Sequence, residues 1–150
     1  MPRTYTQLYY HLVFATKLRT PYIHPELRRD LYPFLGGGIQ ELGGALLSIG
    51  GMPDHIHLLV SLRSHPSVAD AVKAIKGSSS HWVNDTARLS DHFGWQEGYA
   101  AFTVSRSALP RVQRYIENQE AHHRKQSFTD EMITIFRRHG LEVDPKQLDF

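Results

Sequence analysis

Two histidines stand one residue apart in "MPDHIHLLV", Met52 to Val60, inside an otherwise apolar run. Imidazole fills a hydrophobic core poorly, but it carries protons near neutral pH and ligates cations. Residues two apart on a strand project from one face, about 6.6 Å apart along it. His55, His57, Leu59 and Ser61 therefore share a face, while Ile56, Leu58, Val60 and Leu62 form a wholly apolar one. The apolar face can serve a core by itself, which leaves both rings on the opposite side, able to converge on one ion. Taken alone, the pair also fits two satisfied histidines on a half-exposed strand. A metal site needs at least a third ligand.

A second set lies in "VQRYIENQEAHH". Tyr115 and Gln119 are four apart, so a helix places them on one face, a turn from each other. A phenol ionises near pH 10 and is a poor nucleophile at neutral pH without help. Arg111 and Arg114 flank Tyr115, and with a nearby divalent cation they would supply that help. The plainer alternative is an amphipathic tyrosine beside a surface glutamine.

The elements that must position these groups follow from periodicity. "YTQLYYHLVFATK" alternates, with Leu8, Tyr10, Leu12 and Phe14 on one face and Tyr9, His11 and Val13 on the other, which predicts a strand. A helix is expected from about 25 to 43, opened by Pro25 and Glu26 and bent near Pro33 and the Gly36 to Gly38 triplet. "ALLSIGG" and "HIHLLVSL" are short strands around the turn "MPD". "PSVADAVKAIKGSSSHWVNDT" is a helix capped by Ser67, and "QEGYAAFTVS" a fourth strand. A tyrosine helix at about 108–124 follows, then a C-terminal helix at about 128–139 with Thr129 as cap and Gly140 as stop. The fold class is α+β: a ferredoxin-like (RRM-like) split β-α-β-β-α-β antiparallel sheet with helices on one face, and extra C-terminal helices carrying the tyrosine.

With 150 residues and 41% hydrophobic composition, the chain is expected to be one domain spanning 1–150. It has no cysteine, which removes disulfides, thiolate zinc sites and cysteine nucleophiles together. No apolar run approaches a membrane span, and the first residues lack a signal-peptide pattern, so a soluble, cytoplasmic protein is expected. Net charge is +2 with histidines neutral, which permits a nucleic-acid partner without demanding one. Gly36 to Gly38 are not a nucleotide-binding loop, because no lysine-serine pair follows.

Taken together, these segments resemble the HUH-endonuclease superfamily, in its single-tyrosine insertion-sequence transposase branch, the IS200-like family. "HIH" matches the His-hydrophobic-His motif and "YIENQ" the nucleophile-x-x-x-glutamine motif. The likeness extends through "YYHLVFATK", "GMPDHIHLL", "IKGSSSHWVN", "WQEGYAAFTVS" and "FRRHGLEVD" in order. It implies metal-dependent cleavage and rejoining of single-stranded DNA at hairpin-bearing element ends, with Tyr115 as nucleophile and a 5′-phosphotyrosine intermediate. His55, His57 and the Gln119 amide oxygen would hold one Mg2+ or Mn2+, a mixed nitrogen and oxygen set that suits these ions. It also implies a homodimer, in which tyrosine helices can complete the partner's site.

Candidate DNA contacts are Lys17, Arg19, Arg63, Lys73, Lys76, Arg111 and Arg114, with Ser78 to Ser80 and Trp82 weaker; Trp82 and Trp95 are expected to pack. Asp54 either orients a ligand ring from behind or is simply a turn residue. His123 falls four residues after Gln119, which allows it a water-mediated role at the site, although solvent exposure is the favoured reading for it. A histidine-triad hydrolase would need histidine where Leu59 stands. A hairpin-binding module without cleavage, domesticated from a transposase, is the other reading; nothing in such a module requires Tyr115 and Gln119 together.

Overall fold

The computed structural model describes residues 2–86 and 88–148. Four strands, β1 (Leu8–Ala15), β2 (Ala45–Met52), β3 (His55–Leu62) and β4 (Ala100–Val104), form one sheet in the order β2-β3-β1-β4. Every neighbouring pair is antiparallel. This is the expected split topology.

The alternating patterns decide what each face meets. Leu12, Phe14, Ile56, Leu58, Val60 and Leu62 turn to one side and bury against α1 (Pro25–Glu41) and α2 (Val68–Asp85). Each such side chain contributes about 1.5–3 kcal/mol by leaving water. Helix α1 meets them with Leu27, Leu31, Leu35 and Ile39, and runs unbroken through Pro33 and the glycine triplet. Helix α2 starts where its cap predicts, with Ser67 Oγ accepting from the Asp70 N–H at 3.1 Å.

The opposite face is not open. Three further helices, α3 (Leu109–Glu117), α4 (Gln119–His123) and α5 (Phe128–Arg138), lie against it: these are the extra C-terminal helices, and they cover the face that α1 and α2 leave. Phe128, Met132, Ile135 and Phe136 of α5 pack on Val13 and Ala15 of β1 and on Ala100 and Phe102 of β4. The cap of α5 is Ser127 rather than Thr129, accepting from the Asp130 N–H at 3.1 Å. Gly140, with φ of 74°, ends the segment in the left-handed region that glycine adopts freely.

The expected single tyrosine helix at 108–124 is two helices. Asn118 has φ −102° and ψ 28°, outside the helical basin, and its N–H bonds back to the carbonyls of Arg114 and Tyr115. Asparagine tolerates such a break, because its side chain competes locally with helical bonding. Helix α3 lies close against the sheet because Gly50 has no side chain: a Cβ there would stand 2.1 Å from the Ile116 carbonyl oxygen. Gly50 is the register partner of His57, so the missing side chain lies beside the histidine pair.

Candidate active site

His55 and His57 project from β3 beneath α3, α4 and α5, and both are buried rather than half-exposed. Around them the structure collects His11 from β1, Tyr115 from α3, Gln119 and His123 from α4, and Glu131 from α5. The Tyr115 ring centroid is 5.9 Å from that of His57 in the same chain. The tyrosine and the histidine pair are therefore brought together within one chain.

Glu131 is the hub, and sequence reasoning missed it. Its side chain is 1% exposed. One carboxylate oxygen, Oε2, accepts from the Tyr115 hydroxyl and, at 3.0 Å, from the Gln119 amide N–H. The other, Oε1, faces ring nitrogens: Nε2 of His123 at 3.1 Å, of His57 at 3.2 Å and of His55 at 3.5 Å. The Gln119 amide orientation follows, with its Oε1 turned to His55 Nε2 at 3.3 Å and to His123 Nε2 at 3.1 Å. A signal for Glu131 did exist. It is an acidic residue set among Phe128, Met132, Ile135 and Phe136, on the buried stripe of an amphipathic helix.

The outer partners set which nitrogens face inward. Asp54 Oδ1 lies 2.7 Å from His55 Nδ1 and accepts its N–H, which fixes the orientation of that ring. His11 Nε2 is 2.8 Å from His57 Nδ1, which occupies that nitrogen in the same way. The Nε2 atoms of both strand histidines are thereby directed at Glu131 and Gln119.

Charge follows from this placement. Burial, reinforced by His57, pushes His11 down to about 3, so its ring is neutral. Burial also lowers His57 despite the Glu131 carboxylate. For His55, burial opposes the charged form, but the bonds to Asp54 and Glu131 outweigh it and the ring ionises above its ordinary range. Burial opposes ionisation of Glu131, yet the bonds from His55 and His57 hold its carboxyl well below the usual carboxylate range. Burial and then the bond to Glu131 push the Tyr115 phenol far up, so at rest it keeps its proton.

The donor set fits a cation. With Nδ1 of His55 and His57 turned to Asp54 and His11, both Nε2 atoms face the carboxylate and amide oxygens, where a cation would replace the protons that the rings donate to Glu131. His55, His57 and Glu131 each offer a ligand atom, all within 4.8 Å of one another. Two imidazoles with hard oxygens suit a divalent ion such as magnesium or manganese.

The family model described as "Transposase IS200 like" matches residues 4–119. The chain belongs to that family. It is 31% identical over 118 residues to the ISDra2 transposase TnpA of Deinococcus radiodurans, covering 75% of this chain and 84% of that one. The transposase for insertion sequence element IS200 of Salmonella typhimurium is 29% identical over 121 residues, covering 73% of this chain and 75% of that one. A crystal structure assigned as a transposase from Deinococcus radiodurans R1 superposes with a TM-score of 0.63 at 32% identity, covering 79% and 96% of the two chains. A REP-associated tyrosine transposase bound to a REP hairpin shares the fold, with a TM-score of 0.60 at 13% identity over 82% and 73%. The protein is thus a transposase of the IS200 type. The family match stops at Gln119, so Glu131 and α5 lie beyond it.

The remaining expected residues are scattered. Arg19 donates through Nε to Asp54 Oδ2 at 3.2 Å and lies 4.3 Å over the Phe128 ring, behind His55. Lys17, Lys73 and Lys76 line a cavity of about 660 Å3 beside α2, but Lys76 Nζ is spent on the carbonyls of Gln96, Glu97 and Gly98. Arg63 lies past the far end of β3, against Gly43. Arg111 lines a cavity next to Tyr115, and Arg114 is exposed on α3. Trp82 stacks on Phe34, and Trp95 donates to Ser79 Oγ at 2.9 Å, so both are packed as expected. His122 lies against Tyr115, with ring centroids 4.6 Å apart. His123, expected at the surface, is instead in the site. No helix among the described residues is long and apolar enough to cross a membrane.

Proposed function

We propose that this chain cleaves and rejoins single-stranded DNA at hairpin-bearing insertion-sequence ends through a 5′-phosphotyrosine at Tyr115. His55, His57, Glu131 and the Gln119 amide oxygen would hold one Mg2+ or Mn2+. The observation that carries this reading is the carboxylate of Glu131, with the Tyr115 hydroxyl donating to one oxygen and the strand imidazoles at the other. When bound there, a divalent cation polarises the scissile phosphate and stabilises charge on the departing oxygen.

The chain's own groups then have defined tasks. Asp54 and His11 hold the two strand rings with Nε2 inward. Glu131 Oε2 takes the phenol proton as Tyr115 Oη bonds to phosphorus, the bond from phosphorus to the 3′-oxygen breaks, and that oxygen leaves as a 3′-hydroxyl with a proton taken from solvent water. The tyrosyl phosphodiester retains the reactivity of the bond it replaced, so a free 3′-hydroxyl can attack it, reseal DNA and return the phenol without ATP. Hairpin recognition is proposed from the family and from the fold relative seen on a REP hairpin. Two ends require two tyrosines, so two copies are proposed to act together, while Tyr115 here already reaches the histidines of its own chain.

The test mixes protein, Mn2+ and a labelled single-stranded hairpin oligonucleotide and looks for a covalent adduct on a denaturing gel. Tyr115→Phe should abolish the adduct and keep hairpin binding; His55→Ala or His57→Ala should abolish metal-dependent cleavage. Folded protein that binds the hairpin but forms no adduct with any divalent ion would replace this proposal with the binding-module reading.

A further inference from the structure

A cavity of about 800 Å3 opens beside the nucleophile, between the sheet, α3 and the end of α5. Tyr115 lines it, so its ring is shared between the buried cluster and this space. The other polar lining groups are His11, Thr103, Ser105, Arg111, Arg138 and His139, and no carboxylate is among the lining residues. Arg19, Arg28 and Arg88 all have carboxylate partners, whereas Arg111 and Arg138 have none among the described residues. Two unpaired guanidiniums in an acid-free hollow are the arrangement that receives phosphate oxygens, often two at a time. His139 adds a second feature. It is exposed at the surface and lies flat on Phe102, centroids 4.3 Å apart and planes 17° apart, which makes a rigid two-ring platform at the cavity wall. Stacking platforms next to backbone-binding cations are how single strands are held without base reading.

We propose that this cavity seats the nucleotide next to the scissile phosphate of single-stranded DNA, its phosphate on Arg111 and Arg138 and its base on the His139–Phe102 stack. The inference rests on the reading of Tyr115 as the nucleophile, since that fixes where the strand must pass. A paired base cannot lie on the platform, so the site selects unpaired DNA. Arg138 and His139 lie beyond the matched family segment and carry no role in the cation cluster.

The experiment measures binding of a fluorescent single-stranded oligonucleotide by anisotropy across a salt series, in a Tyr115→Phe background that binds without cutting. Arg111→Gln and Arg138→Gln should each weaken binding and each lower the slope of log affinity against log salt by about 0.7, the value for one lost phosphate contact on a single strand. His139→Ala should weaken binding about tenfold with the slope unchanged, and His139→Phe should restore it. Arg137→Gln, on the neighbouring residue outside this cavity, should change nothing. Wild-type affinity and slope in both arginine variants, or the same loss with Arg137→Gln, would overturn the proposal. A duplex oligonucleotide that depends equally on His139 would overturn it too. A parallel Mn2+ melting curve and adduct gel on the Tyr115 protein separate the readings: failure of the cation site removes the melting shift and the adduct, and leaves the salt slopes as they are.

Discussion

Replacing Glu131 in two ways separates its structural role from its proposed role at a cation. Glu131→Ala removes the acceptor for the Tyr115 hydroxyl and the Gln119 amide and leaves the ring nitrogens without their anion. An unsatisfied buried donor costs about 1–3 kcal/mol, and breaking a buried charge pair about 3–5 kcal/mol. At about 2–4 °C per kcal/mol for a chain of this length, the two losses together should lower the melting temperature of the metal-free protein by about 10–30 °C. Glu131→Gln keeps the volume. Its carbonyl can still accept from Tyr115, but the anion facing the ring nitrogens is gone, so the metal-free protein should lose about 3–5 kcal/mol, less than Glu131→Ala loses.

The two variants part company with the parent when Mn2+ is added. An ion at one hundred times its dissociation constant stabilises the parent by about 2.7 kcal/mol, or about 5–10 °C in melting temperature. Glu131→Gln presents a neutral amide where the anion stood, so its shift should vanish, and with it the covalent adduct. Differential scanning calorimetry with and without Mn2+ reads both numbers. An undiminished Mn2+ shift in Glu131→Gln would refute the reasoning, because the cation would then be held without the carboxylate at the centre of the cluster.

Three further outcomes are expected. His11→Leu keeps the volume close but leaves His57 Nδ1 unpartnered, so Mn2+ affinity by titration calorimetry should fall about 10–100-fold; unchanged affinity would show that His11 does not orient the ligand. In the metal-free protein the raised His55 contributes stability in full below about pH 6.5 and loses it as pH rises through its folded value, whereas the lowered Glu131 contributes above about pH 4.5 and loses it on acidification. Mn2+ must displace the His55 proton, so its affinity should rise with pH and binding should release a proton, measurable in buffers of different ionisation enthalpy; pH-independent affinity would contradict this. Gly50→Ala forces a methyl into the Ile116 carbonyl, so it should destabilise by about 1–3 kcal/mol in urea unfolding and reduce adduct formation by shifting Tyr115.

Much of this site was legible because strand periodicity is strict. A period of two places His55 and His57 opposite Ile56 and Leu58 in any register, and the same rule puts His11 on the histidine side of β1. That His11 touches His57 depends on pairing, which sets Val13 opposite His57 and leaves His11 diagonal to it. The DNA-contact candidates were poorly legible because an exposed lysine reads alike whether it is solvated or pinned. Lys76 is pinned by carbonyls twenty and more residues away, which no local pattern announces. Glu131 was hidden by a different ambiguity: an acidic residue in the first turn of a helix already has an explanation in the helix dipole. Only its place on the apolar stripe argues otherwise.

That stripe is where packing and chemistry meet. Helix α5 lies beyond the residues matched to the family, and it is held on β1 and β4 by Phe128, Met132, Ile135 and Phe136. Burying those four side chains carries Glu131 into the cluster, because residue 131 lies one turn from both 128 and 135 on the same face. A carboxylate is driven out of water only when something repays its desolvation, and here the Tyr115 and Gln119 donors and the imidazoles contribute to that. The same contacts keep the proton on the phenol, donated to Glu131 Oε2, and the phenol itself un-ionised. Positive charge arriving at Oε1 would draw the carboxylate toward it and change what Oε2 offers the phenol, so cation binding and activation of Tyr115 are linked through the two oxygens of one residue.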